Sequence, residues 1–172
     1  MRFNVAQLLK EPVGSTRKYH LAEDIQDLGE EIKLTHPIKG TIRLIHTTEG
    51  VLVSGQLHTE VELSCSRCLE SSSTAVDFTL EEEFHPTIDI STGAKLPLLD
   101  GEDEATLIDG QHMIDLLEVM RQDILLALPS RPVCRPDCAG LCSQCGQNLN
   151  EGPCTCEQPF DDPRWEALRA LR

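Results

Sequence analysis

The chain has 172 residues, with 15 Lys and Arg against 29 Asp and Glu for a formal charge of −14, and with 40% hydrophobic and 26% charged residues. That length allows one domain with a real core and a small appended module, and the composition excludes a wholly disordered chain. The longest apolar run, 124–128, is far below the roughly 20 residues of a membrane span, and the acidic balance weighs against autonomous nucleic-acid binding, which draws its affinity from Lys and Arg.

The opening MRFNVAQLLKEP shows no apolar stretch leading to a small-residue cleavage site, so a cytoplasmic protein with reduced thiols is expected. Ile42 and Leu44 are in phase over 41–46, and Thr47 to Gly50 supplies turn chemistry. From Val51 to Cys65 the apolar residues Val51, Val53, Leu57, Val61 and Leu63 alternate with polar ones. This pattern predicts an antiparallel hairpin with one face buried. Ser71 to Ser73 reads as a turn, and Val76, Phe78, Leu80 and Phe84 predict a third strand. A mobile, acidic loop is expected over 86–106, including Asp100, Glu102, Asp103 and Glu104. Met113, Leu117, Met120, Ile124 and Leu128 recur at helical spacing, so a helix over 113–128 is predicted, with Asp109 as its N-cap and Pro129 as its stop. Asp162, Pro163, Trp165, Leu168 and Leu171 predict a short docking helix at the end.

The fold class expected is therefore α+β: an antiparallel β-sheet or partial barrel covered by one main helix, over residues 1–130. Residues 131–172 are expected to form a cysteine-rich zinc module followed by the docking helix.

Eight cysteines carry the chemistry: Cys65 and Cys68 in CSRC, and Cys134, Cys138, Cys142, Cys145, Cys154 and Cys156 within 23 residues. A C-x-x-C turn aims two thiolates at one ion, and zinc takes four at roughly 2.3 Å. Chain reach favours one local site of Cys142, Cys145, Cys154 and Cys156, leaving Cys134 and Cys138 for Cys65 and Cys68. A competing division groups Cys134, Cys138, Cys142 and Cys145 and leaves the others to pair. Either way two structural zinc ions are expected. Reduced buried thiols and disulfides are the plain alternatives. No His and Glu set suited to a catalytic zinc accompanies the thiols, no phosphate-cradling glycine loop occurs, and the six histidines are scattered, so no catalytic residue is assigned.

In CSRCLE, LLALP, CAGLCSQCGQNLN, CTC and DPRWEAL the chain resembles the YceD family of large ribosomal RNA subunit accumulation proteins. The resemblance implies a role in the synthesis, processing or stability of 23S ribosomal RNA, and it supplies no catalytic motif. Residues 1–130 hold 10 basic and 23 acidic residues, against 5 and 6 in 131–172. An acidic body suits contact with a basic large-subunit ribosomal protein or a ribosome precursor, with no membrane and no small-molecule substrate. Direct RNA contact through Arg67, Arg131 and Arg135 is the second reading, although six aromatic residues leave few stacking platforms. A zinc-thiol redox sensor at Cys154 and Cys156 is the third.

Overall fold

The computed structural model describes residues 1–23, 25, 28, 29, 31–97, 103–156 and 164. Their regular structure is mostly strand, with two short α-helices. The chain divides into two compact units, Met1–Glu62 with Ser73–Pro129, and Leu63–Ser72 with Ser130–Arg172.

In the first unit, β1 (Arg2–Asn4) and α1 (Ala6–Lys10) precede β2 (Thr16–Glu23), β3 (Leu34–His46), β4 (Val51–Ser64) and β5 (Ser71–Pro86). After a single 3-10 turn at Glu104–Thr106 come β6 (Leu107–Ile108), β7 (Met113–Asp115) and α2 (Leu117–Ala127). The main sheet has the order β2-β3-β4-β5-β6, and β1 pairs with β7 in a separate two-stranded sheet. Strands β2, β3 and β4 are successively antiparallel, whereas β6 adds to β5 in parallel. The order is open, with β2 and β6 at its edges among the described residues.

The alternation expected from Val51 onward is observed. Val51, Val53, Leu57, Thr59 and Val61 are buried, and the residues between them are half-buried or exposed. Thr59 is the one buried polar residue among them, and its hydroxyl donates to His36 O at 2.9 Å, beside a break in the β3–β4 register. Ile38, Ile42 and Leu44 of β3 and Val76, Phe78, Leu80 and Phe84 of β5 complete the buried face. At Gly40, φ is +152°, and an added Cβ would lie 2.3 Å from Gln56 O, so only glycine fits that close strand approach.

Four expectations are corrected. Residues Ser71 to Ser73 belong to β5 and are not a turn. The helix begins at Leu117, because Met113–Asp115 pairs with Arg2–Asn4 as a strand. Asp109 caps no helix; its carboxylate accepts from the backbone N–H groups of Gln111 and Met113 and closes the β6–β7 turn. The Leu117 N–H is satisfied instead by Asp115 Oδ1 at 3.1 Å. Finally, 87–97 is tied together rather than loose: Asp89 Oδ1 accepts from Ser91 N, Thr92 N and Thr92 Oγ1, and Leu96 N donates to Thr87 O. The helix α2 buries Val119, Met120 and Ile124, while Leu117 is half-buried. The predicted terminal helix, with Asp162, Pro163, Trp165, Leu168 and Leu171, lies outside the described residues, as do Asp100 and Glu102.

Candidate metal centre

The second unit is built on two turns with the same bond pattern. In the first, Cys65 N donates to Glu70 O at 2.8 Å, Leu69 N to Cys65 O at 2.9 Å and Arg67 N to Cys65 Sγ at 3.4 Å. In the second, Cys142 N donates to Gln147 O at 2.8 Å, Gly146 N to Cys142 O at 2.9 Å and Gln144 N to Cys142 Sγ at 3.4 Å. Each turn brings the two sulfurs of a C-x-x-C pair to one side and points a backbone N–H at the first sulfur. That is the geometry in which a thiolate is stabilised without a charged side chain.

Two further segments complete the fours. Ser66 N donates to Pro132 O and Leu141 N to Arg67 O, which lays the chain around 132–141 along the first turn. Cys138 Sγ then lies 3.8 Å from Cys65 Sγ, and Cys134 Sγ 3.7 Å from Cys68 Sγ. Gly140, at φ +75°, permits this approach; a Cβ there would sit 3.2 Å from Arg67 O. In the other group Cys154 Sγ lies 3.5 Å from Cys142 Sγ. Cys65, Cys68, Cys134 and Cys138 form one set and Cys142, Cys145, Cys154 and Cys156 the other, with all sulfurs of a set within 4.8 Å of one another. This grouping is the first of the two divisions considered above. A tetrahedron with metal–sulfur bonds of roughly 2.3 Å has edges of about 3.8 Å, so the donor set and its spacing suit a four-thiolate metal ion.

Titration of the sulfurs follows their local contacts. The Cys68 N–H, and then that of Cys134, hold the Cys65 thiol down at about 6. The Cys145 and Gln144 N–H groups hold Cys142 at about 6. The Asn150 side-chain amide lowers Cys138. Burial, then the Cys138 thiol, pushes Cys134 up to about 12, and the Cys145 thiol, then burial, does the same to Cys156. The Glu70 N–H pulls Cys68 down, but burial and its Cys65 and Cys138 neighbours raise it. A bound cation favours deprotonation of all four thiols of a set.

The two sets differ in exposure: Cys65, Cys68 and Cys138 are buried, Cys142 and Cys154 are half-buried, and Cys145 is exposed. Arg67 and Arg135 serve the unit itself. Arg67 Nη1 donates to Cys138 O at 3.0 Å and Pro136 O at 3.4 Å, and Arg135 donates to Asn150 Oδ1 at 2.8 Å. Asn150, which the sequence reading missed, also accepts from Ala139 N and donates to Cys138 Sγ at 3.4 Å. Its clue was the N-x-N pair within the cysteine-rich stretch. Among the described residues no histidine joins either set.

Sheet unit and paired four-cysteine groups together define a mostly-β protein with two centres of metal-binding type. The chain belongs to the YceD family: the model described as "Large ribosomal RNA subunit accumulation protein YceD" matches residues 53–172. It is 37% identical over 128 residues to an uncharacterized protein of Mycobacterium tuberculosis, covering 74% of this chain and 58% of that one. It is 31% identical over 143 residues to the Zea mays protein named large ribosomal RNA subunit accumulation protein YCED homolog 1, chloroplastic, covering 70% and 49%. The Arabidopsis thaliana protein of the same name is 26% identical over 156 residues, covering 79% and 49%. The chain thus spans about half to three-fifths of the length of these relatives. No solved structure matches it. Among the described residues, no helix is long and apolar enough to cross a membrane.

Proposed function

We propose that this protein is a noncatalytic factor supporting the synthesis, processing or stability of 23S ribosomal RNA during large-subunit biogenesis in the cytoplasm, acting through contact with a basic ribosomal protein. Each four-cysteine set holds one structural zinc. The observation that carries the reading is the donor set: eight sulfurs in two fours, joined by no nitrogen or oxygen ligand among the described residues, in a chain of the YceD family. Closed thiolate sites of this kind hold chain segments together and leave no open position for a substrate. The acidic excess of residues 1–130 supplies long-range attraction for a basic partner.

Deleting the gene and measuring 23S relative to 16S RNA tests the role, and an unchanged ratio refutes it. Metal analysis of untagged reduced protein is expected to give two zinc ions per chain; free thiols with no metal refute the zinc assignment. Association with large-subunit precursors that survives nuclease treatment supports the protein contact.

A further inference from the structure

The outward face of the main sheet carries a feature that the acidic balance conceals. Lys18, Lys39 and Arg43 are all exposed there, and none makes a salt bridge or a side-chain hydrogen bond among the described residues. Elsewhere in the same unit Arg2, Arg17, Lys33 and Arg121 each hold a carboxylate. Lys18 and Arg43 are direct register partners across β2 and β3. Like charges placed opposite one another on neighbouring strands are destabilising, and among the described residues no carboxylate pairs with either member. Lys39 projects from the same face four residues before Arg43, roughly 13 Å along the strand.

Between these cations runs an open trough of about 610 Å³, lined by Lys18, Thr41, Arg43, Ser54 and Gln56 and by strand backbone. His20, hydrogen-bonded to Thr41 at 3.0 Å, and His58, hydrogen-bonded to Asp77 at 2.8 Å, share the face. The acidic residues of this surface are Glu60 and Glu62 of β4, which lie beyond His58 toward Thr35 and pair with His36 and Lys33, and Asp77, Glu81 and Glu83 of β5, two strands away from Arg43; none of them lines the trough. At physiological salt the Debye length is about 8 Å, so the trough responds to its own cations more than to the charge of the whole chain. Among the described residues the face bears donors and cations but no Phe, Tyr or Trp side chain; Tyr19 of β2 packs on Phe3, with ring centroids 4.9 Å apart. It is better suited to following phosphates than to stacking bases. All three cations precede residue 53, where the family match begins.

We propose that this face, centred on the Lys18–Arg43 pair with Lys39 and the Thr41, Ser54 and Gln56 side chains, binds the phosphodiester backbone of an RNA strand. The inference rests on the ribosomal reading above for the identity of the polyanion, and it adds the place where RNA is held. It also bears on the expectation that the acidic balance weighs against nucleic-acid binding: β2 and β3 bring three basic residues together on one face.

The test uses the full metal-loaded chain and a labelled single-stranded RNA of about 20 nucleotides, over a salt series. Three phosphate contacts predict that log K falls with log salt at a slope of about −2. The variant Lys18→Gln/Lys39→Gln/Arg43→Gln is expected to flatten that slope and to weaken binding at least tenfold at about 50 mM salt. Its melting temperature should be equal or higher, because a repulsive pair has been removed. Equal binding by wild type and variant overturns the proposal, as does no binding by wild type at the lowest salt. Loss of binding only in Arg67→Gln/Arg131→Gln/Arg135→Gln also overturns it. The 23S to 16S ratio in the deletion strain reports on the ribosomal role separately, so a failure of this face and a failure of that role are distinguishable.

Discussion

Leu69 and Gly146 occupy equivalent places in the two cysteine turns, each directly after the second cysteine of its C-x-x-C pair, and both are left-handed, at φ +64° and +73°. Glycine adopts this region freely; leucine does so at a cost of roughly 1–2 kcal/mol. The Leu69 side chain is 67% exposed, so little packing offsets that cost.

The first prediction follows from that pairing. Gly146→Ala should weaken metal binding at the Cys142 set by roughly fivefold to tenfold, because the turn must then carry a side chain at positive φ. Leu69→Gly should leave metal binding at the Cys65 set equal or tighter. Competition titrations with a chromogenic chelator read both. A Gly146→Ala protein that binds as tightly as wild type would sink the idea.

A second prediction concerns the order of metal loss. Cys145 is exposed, whereas Cys65, Cys68 and Cys138 are buried, so a chelator should strip the Cys142 set first and the Cys65 set in a slower phase. Cys145→Ser is expected to abolish the fast phase alone. Cys65→Ser should remove the slow phase and open 130–141 to protease, since that segment is tied to the 65–70 turn. A single kinetic phase in wild type would contradict the difference between the sets.

For the helix, the buried positions are Met120 and Ile124 rather than Leu117. Met120→Ala or Ile124→Ala should cost about 2 to 5 kcal/mol in chemical denaturation. Leu126, which is 85% exposed, should change stability by less than about 0.5 kcal/mol when cut to Ala. Covering of the sheet by α2 is the reading at stake, and an unchanged midpoint for Met120→Ala refutes it.

The pH dependence has a definite sign at Glu118. Hydrogen bonds from Arg121, then from Gln122, hold its carboxyl at about 2, against an ordinary value of 4.5. A depressed folded-state value contributes stability above pH 4.5 that is lost as pH falls from 4.5 toward 2. Glu118→Gln should therefore lower the melting temperature at pH 7 and not at pH 2. An equal difference at both pH values would mean that the carboxylate charge is irrelevant to the effect.

The legible parts were those with strict periodicity or strict chemistry. Val51 to Leu63 could only be a half-buried strand, and the C-x-x-C spacing pointed to sulfurs gathered in fours, which is how the second unit groups them. The start of α2 was hidden because Met113, placed on a strand by its pairing with Asn4, also falls in phase with the helical repeat of Leu117, Met120 and Ile124. Strand β1 has three residues, and its pairing depends on a partner more than 100 residues away, so nothing local reveals it. The Lys18–Arg43 pair was invisible for the same reason: it exists only in the register of β2 against β3.

The two cysteine sets also differ in what they ask of a growing chain. Cys68 and Cys134 are 66 positions apart, whereas Cys145 and Cys154 are separated by only nine. Closing the longer loop costs roughly 2 kcal/mol more in chain entropy. At a synthesis rate of roughly 5–20 residues per second, the ribosome needs about 3 to 13 s to pass from one end of that loop to the other. Throughout that interval Cys65 and Cys68 stand on the nascent chain as a two-ligand fragment, open to oxidants and to other metals. The Cys142 set has all its ligands within about 1 to 3 s of its first, so the more exposed set in the finished protein is also the one assembled with the shorter wait.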